Sequence, residues 1–250
     1  MKISIITVVY NDVKFIEDCI KSVISQTYDD IEYIVIDGKS QDGTLGVIEK
    51  YRGAITKVVS EKDDGHFYAM NKGIGLATGE VIAFLHSDDM YADNRVIEKV
   101  VVAFNEHHLD SLYGDLVYTA AGNTNRIFRH WIGGEFKPWK MKHGWMPPHP
   151  AFFVKKKVYE QYGLFSPDFK IAADYEIMLR FLLKHKISTF YLPGTLVKMR
   201  MGGISNRSPL NLIKKSMEDY KACRMYGLGL GTLIMKNIRK APQFIRVFNR

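Results

Sequence analysis

Read as a string of apolar and polar positions, the first third of the chain switches repeatedly between two periods. Residues 3–10 form a nearly continuous apolar run, whereas residues 13–25 place Phe15, Ile16, Cys19, Ile20 and Val23 at helical spacing. This predicts a buried strand followed by an amphipathic helix. The alternation then repeats: strand 31–36, short helix 44–51, strand 55–60, helix 66–77 weakened near its end by Gly73 and Gly75, and strand 80–85. Strands alternating with helices imply a parallel sheet with right-handed crossovers.

After Asp89 the pattern loosens. Residues 95–107 read as a helix and 111–118 as a strand, with 126–131 its hairpin partner across the turn-forming Gly122-Asn123. Residues 133–150 carry Gly, Pro, Trp and Met without a period and read as a loop that shapes a site. A short helix is expected over 158–162 and a firmer one over 174–185, where Ile177, Met178, Phe181 and Leu182 share a face. Short strands over 187–192 and 195–201 follow. Two helices complete the chain, one over 210–226 and one from Leu230 that Pro242 limits. The expected fold is α/β, a mostly parallel sheet flanked by helices, with C-terminal helices.

Charge changes this picture at one end only. The net charge is +8, and from Leu210 onward nine Lys/Arg face only Glu218 and Asp219. The body is therefore nearly neutral and the tail basic. The tail also carries Leu228, Leu230, Leu233, Ile234, Ile238, Phe244, Ile245, Val247 and Phe248. A basic amphipathic segment of this kind can lie on an anionic membrane surface. The plainer expectation for its first helix is that Ile213, Met217 and Tyr220 pack and cap the domain. Nucleic acid is not an expected partner, since no recognition motif accompanies the charge. No apolar run approaches the roughly 18 residues of a membrane span. The apolar start leads straight into Asn11-Asp12 without a small-residue cleavage site, so a first strand is expected rather than a signal peptide. Cys19 and Cys223 have no paired spacing, which excludes a disulfide framework and a zinc site and suits a reducing cytoplasm.

The chemistry gathers where strands end. Val81-Ile82-Ala83-Phe84-Leu85 breaks into His86-Ser87-Asp88-Asp89, and ligands of open α/β sheets bind at the carboxyl ends of strands. Adjacent carboxylates are hard ligands for Mg²⁺ or Mn²⁺, ions that accompany phosphate substrates. The alternative is a solvated turn before a helix starting near Asp93. The second strand ends in Asp37-Gly38-Lys39-Ser40-Gln41-Asp42-Gly43-Thr44. Asp37 there suits a base or ribose edge, while Ser40 and Asp42 are equally turn and N-cap residues. The third ends in Glu61-Lys62-Asp63-Asp64-Gly65, followed by Ala69-Met70-Asn71-Lys72-Gly73. Three successive strand exits thus deliver acids to one sheet edge, which favours Asp89 as a solvent-facing metal ligand. The first exit, Tyr10-Asn11-Asp12-Val13, lacks a Gly-rich turn, and no Gly-Lys-Ser/Thr occurs, against NAD, FAD and P-loop chemistry.

Jointly, Thr7-Val8-Val9-Tyr10-Asn11, Ile36-Asp37-Gly38 with Ser40 and Asp42-Gly43-Thr44, Asp63 with Gly65 and Ala69-Met70-Asn71-Lys72-Gly73, and Phe84-Leu85-His86-Ser87-Asp88-Asp89 resemble the family-2 glycosyltransferases. The resemblance covers residues 1–207 and implies the Rossmann-like GT-A fold, with 208–250 a basic helical extension. It implies a nucleotide-sugar donor, a UDP-sugar favoured, held by Thr7, Val9, Tyr10, Asn11, Asp37, Asp42, Asp63, Asn71, Lys72 and Asp88. It makes Asp89 the ligand of a divalent metal, Mn²⁺ or Mg²⁺, on the diphosphate. Ala172-Ala173-Asp174-Tyr175-Glu176 resembles the family motif whose Asp, here Asp174, is the catalytic base; by itself Asp174 reads equally as a first-turn helix acid. Tyr68 stands where an acid is frequent and His86 where Asn is frequent, so sugar selectivity is expected to differ from the commonest members.

Acceptor contacts are expected from His149, whose direction Pro148 and Pro150 fix, and from one of Trp131, Trp139 and Trp145. Trp145 is the choice among them, with Tyr175, Glu176 and Arg200 beside it. Arg200 precedes Met201-Gly202-Gly203-Ile204-Ser205, which resembles a family segment near the active site. The expected reaction is inverting, metal-dependent transfer of a hexosyl or N-acetylhexosaminyl group to a glycan or lipid-linked acceptor in cell-surface polysaccharide synthesis. A sugar-phosphate nucleotidyltransferase would want a Gly-rich loop after the first strand. A catalytically inactive nucleotide- or carbohydrate-binding domain would have Asp89 or Asp174 turned away from the cleft.

Overall fold

The computed structural model describes residues 1–201 and 209–239. The Gly202-Gly203-Ile204-Ser205 segment, the boundary at 207/208, Pro242 and the apolar positions from Phe244 onward lie outside them. In chain order the elements begin β1 (Ile3–Val9), α1 (Ile16–Ile24), β2 (Ile31–Asp37), α2 (Thr44–Lys50), β3 (Lys57–Ser60), α3 (His66–Leu76) and β4 (Val81–Phe84). There follow β5 (Asp89–Tyr91), α4 (Val96–His107), β6 (Ser111–Ala120), β7 (Asn123–Trp131), α5 (Pro138–Lys142), β8 (Phe152–Lys155) and α6 (Lys156–Tyr162). The chain continues through α7 (Ala173–Met178), β9 (Thr189–Arg200), α8 (Pro209–Met225) and α9 (Leu230–Ile238).

The strands form one sheet in the order β3-β2-β1-β4-β8-β6-β9-β5, with β7 hairpinned onto β6. The first four are parallel, as the strand–helix alternation requires. Beyond β4 the sheet is mixed: β8 is antiparallel to β4 and β6, β9 is parallel to β6, and β5 is antiparallel to β9. In the parallel half, Val9 pairs with Asp37 and Asp37 with Ser60, so three strand exits lie side by side. Both faces are covered. Ile6 and Val8 point into one core with Met70, Ile74, Phe169 and Phe181, while Ile5 and Val9 point into the other with Ile16, Ile20 and Phe104. Gly73 lets α3 lie close on the sheet, since a Cβ there would come within 2.5 Å of Ile6 Cγ2.

Several expectations need correction. β5 is only three residues long and β8 only four, too short for a period to show. The expected strands 187–192 and 195–201 are one strand, β9, bent at Gly194 with φ +123°. The 133–150 loop contains α5, and the 174–185 helix is α7 followed by a π-helical turn over Leu179–Lys184. On α8, Ile213 and Met217 are exposed; the packed residues are Asp219, Ala222 and Cys223. Ala222, Cys223 and Leu228 join the core that holds Tyr175 and Phe181, so the helices beyond the expected boundary share the interior of the body.

Candidate active site

The exits of β1 and β2 are laced together by the acids expected to hold a donor. Asp37 is fully buried and accepts from the Ser40 backbone at 3.1 Å and the Ser60 hydroxyl at 2.6 Å, tying β2 to β3. Asp42 accepts from the Val13 and Thr44 backbone N–H groups at 3.0 Å, the second of these an Asx-turn bond. Asn11, at φ 50°, donates its N–H to Ser40 Oγ and accepts from Gln41 N–H. Thr7 and Val9 are buried; the Thr7 hydroxyl lies 3.1 Å from Tyr33 Oη, beneath the sheet edge rather than on it. Tyr10, in contrast, is exposed and packs against Gly38. At the third exit Lys72 binds both Asp63 and Glu61, and one Asp63 oxygen remains buried without a partner. Asn71 spends both ends of its amide on the Phe165 backbone.

The acidic turn after β4 is organised differently from its expected form. Asp89 is not solvent-facing: it is fully buried, because it starts β5 and pairs with Met199 of β9. Neither of its carboxylate oxygens has a hydrogen-bond partner. Burial, reinforced by the adjacent Asp88, pushes its carboxyl well above the usual aspartate range. Asp88 keeps partial exposure. Asp12, which sequence reasoning passed over, belongs to the same group. It accepts from the Ser87 hydroxyl at 2.7 Å, and burial followed by the Asp88 charge raises its carboxyl. Asp12 sits beyond β1, one position after the flagged Asn11, but only the fold brings it to residue 87. A divalent cation fits this chemistry. An orphaned buried carboxylate beside a second one is a hard-oxygen pair, and Mg²⁺-type ions take one or two carboxylates while phosphates and waters complete the shell. Among the described residues no group of three or more His, Cys, Asp or Glu could hold a metal by itself.

Asp174 opens α7 and faces His149, whose Nδ1 lies 3.3 Å from Asp174 Oδ2. Both side chains keep about a quarter of their surface exposed, 26% and 21%. Burial pushes the His149 ring down to about 4, outweighing the attraction of Asp174. Burial also opposes ionisation of Asp174, but His149, Lys215 and Lys236 together hold its carboxyl below the ordinary value. At neutral pH the pair is an aspartate beside a neutral imidazole, with the two lysines supplying positive charge. The His86 ring lies 6.3 Å from His149 and feels the charges of both Asp88 and Asp174, so it spans the distance from acidic turn to base. The His66 ring lies 4.9 Å from His86, tilted 47° to it. Trp131 meets His149 edge-on at 6.3 Å. Trp145 instead packs against Tyr113 and Phe136, its indole N–H donating to Gly133 O.

Three further residues expected at the acceptor, Tyr175, Glu176 and Arg200, are buried and bonded within the fold. Tyr175 is buried, with its ring 3.4 Å beneath Lys236 Nζ and its hydroxyl against Cys223 Sγ. Glu176 is buried and takes Arg180 and the Tyr226 hydroxyl. Arg200 is buried over the Phe15 ring, binding Asp18 and donating to Asp88 O at 3.0 Å. It buttresses the acidic turn from behind. Sequence reasoning missed the reason α7 stands where it does: Glu218 of α8 accepts from the N–H groups of Lys170, Ile171 and Ala172. Lys236 of α9 forms a buried pair with Asp219 at 2.7 Å. The two C-terminal helices therefore hold the Asp174 segment from below.

The sequence model of glycosyl transferase family 2 matches residues 4–170. An uncharacterised glycosyltransferase of Mycobacterium tuberculosis (strain H37Rv) is 31% identical over 187 residues, 71% of this chain and 68% of that protein. A PGL/p-HBAD biosynthesis glycosyltransferase of the same strain is 28% identical over 208 residues, 81% of this chain and 78% of that one. Among solved structures, S. aureus TarS 1-349 in complex with UDP-GlcNAc superposes with a TM-score of 0.69 at 20% identity, over 90% of this chain and 65% of that one. The chain spans 39% of a longer TarS structure. A mannosyltransferase from Pyrobaculum calidifontis in complex with GDP-Man and Mn²⁺ gives 0.65 at 14% identity, over 90% and 63%. At these identities the structures speak to the fold, and the fold they share is this one.

Proposed function

The chain belongs to glycosyl transferase family 2, and on that premise we propose that it moves a hexosyl or N-acetylhexosaminyl group from a nucleoside-diphosphate sugar to a hydroxyl of a glycan or lipid-linked acceptor, with inversion. The observation that carries the reading is the arrangement of Asp174 and His149 across His86 from the Asp88-Asp89 turn. A donor whose diphosphate lies at the turn would present its sugar toward the base. Asp174, ionised and partly exposed, takes the proton of the attacking hydroxyl, with His149 lying 3.3 Å beside it. Tyr10 is the exposed aromatic at the strand exits that a nucleobase could stack on. Asp88 and Asp89 would hold a divalent cation, which when bound neutralises charge growing on the departing diphosphate. A UDP-sugar is the favoured donor, in keeping with the UDP-GlcNAc complex of TarS, although the GDP-Man complex shows that the fold serves other nucleotides. The PGL/p-HBAD biosynthesis relatives support a role in a biosynthetic glycosyl transfer. Two buried free cysteines suit a cytoplasmic setting.

The test is nucleotide release from a panel of UDP-, GDP- and dTDP-sugars, with and without Mn²⁺, together with NMR of the product anomer. Mn²⁺-dependent release of one nucleoside diphosphate and an inverted anomer are expected. Release of pyrophosphate from a nucleoside triphosphate and a sugar phosphate would instead point to nucleotidyl transfer. A retained anomer would remove the single-displacement role of Asp174.

A further inference from the structure

Helix α9 is mounted inside out. Its inward face carries Thr232 and Lys236, four residues apart and both buried: the Thr232 hydroxyl donates to Lys142 O at 2.7 Å, and Lys236 pairs with Asp219. Its outward face carries Leu230, Ile234 and Ile238, also four apart and each more than half exposed. On α8, Ile213 and Met217 form a second row with the same spacing and are again more than half exposed. A shallow groove lined by Ile213, Ser216, Met217, Tyr220, Leu230 and Leu233 runs between the two helices, where Leu230 of one row meets Ile213 and Met217 of the other. Contiguous patches of large apolar side chains on a soluble fold mark interaction surfaces.

The charges around the patch select the occupant. By helical position Arg224 continues the Ile213–Met217–Tyr220 face, with Lys214 beside it. The acids of α8 are used internally, Glu218 on three backbone N–H groups and Asp219 on Lys236. The surface is thus apolar rows fringed by cations. A second copy meeting it about a two-fold axis would set those cations against their equals. An acyl-chain boundary with anionic headgroups above it complements both parts at once. We propose that the outward face of α8 and α9 docks this protein on an anionic lipid surface. The apolar rows enter the headgroup region, and Lys214 and Arg224 lie at phosphate level. This rests on the surface alone and does not depend on the proposed reaction.

The experiment is flotation of the full chain with phosphatidylglycerol/phosphatidylcholine vesicles and with phosphatidylcholine alone, beside light scattering for oligomeric state. Three proteins are compared: wild type, Ile213→Glu/Ile234→Glu, and Lys214→Glu/Arg224→Glu. All these positions lie on the outward face, so unchanged circular-dichroism melting serves as the folding control, and donor-dependent nucleotide release reports the reaction separately. Wild type is expected to float with anionic vesicles, and each double variant to lose about tenfold or more of that partitioning. High salt is expected to weaken the wild-type interaction. Absence of wild-type flotation, equal flotation on phosphatidylcholine alone, or flotation that survives Ile213→Glu/Ile234→Glu overturns the proposal. A dimer that the Ile213→Glu/Ile234→Glu variant disperses, without vesicle binding, assigns the patch to a second copy instead.

Discussion

At the scale of single residues, burial separates the two aspartates that matter most. Asp174 is partly exposed and ionised beside His149. Asp174→Asn keeps its shape and removes its basicity, so kcat is expected to fall by ~10²–10⁴-fold with donor affinity near wild type. Steady-state kinetics with a titrated donor check this, and transfer within a few-fold of wild type would leave Asp174 only a helix acid. Asp89 is fully buried with both oxygens unpartnered, so without a cation ionising it works against the fold. Asp89→Asn is therefore expected to leave the melting temperature of the metal-free protein unchanged or raised. It should also abolish the stabilisation that Mn²⁺ with a nucleoside diphosphate confers on wild type. Thermal melts with and without those ligands decide it; an intact ligand-induced shift would dismiss Asp89 as a metal ligand.

At the scale of elements, α8 and α9 matter for what they hold. Glu218 fixes the backbone entering α7, and Lys236 sits over Tyr175 while neutralising Asp219. Lys236→Ala leaves a buried aspartate uncompensated and is expected to cost about 3–5 kcal/mol of stability. Lys236→Met combined with Asp219→Leu removes both charges and should recover most of that loss. Urea denaturation of the three proteins measures it. Equal stability of wild type and Lys236→Ala would mean that the pair contributes nothing. These helices were visible in the sequence as helices, yet the packing face of α8 was assigned to the wrong side. Ile213 and Met217 have the spacing of a packed stripe, but the stripe that packs is Asp219, Ala222 and Cys223. Its polar member has a partner on another helix, which a one-helix pattern does not contain.

For the whole molecule, the half-buried His149 imposes a direction on acid stability. His149 ionises near 6.5 when unfolded and is pushed to about 4 when folded. Between those values the unfolded chain holds the extra proton, so stability is present above pH 6.5 and is lost as pH falls toward 4. The slope from this one group is at most about 1.4 kcal/mol per pH unit, less for the ring's partial exposure. His149→Gln should flatten that limb in urea titrations run across the window, and an unchanged limb would show that His149 titrates freely. The sequence alone determined the strand–helix alternation of the parallel half and the delivery of acids to its exits, because hydrophobic period and turn chemistry are local properties. Helix existence in the C-terminal segment was legible for the same reason. What only the tertiary structure decided is which partners these residues meet. Asp37, Asp42, Asn71 and Arg200 bond strand exits, loops and the acidic turn together, while Asp12 is brought to Ser87 and His149 to Asp174. Their partners lie far along the chain: Asn71 binds a backbone 94 residues away and Arg200 an aspartate 182 residues away. No window of sequence spans such a bond, and it is these long-range bonds that decide which polar side chains are held within the fold and which stay open at its edge.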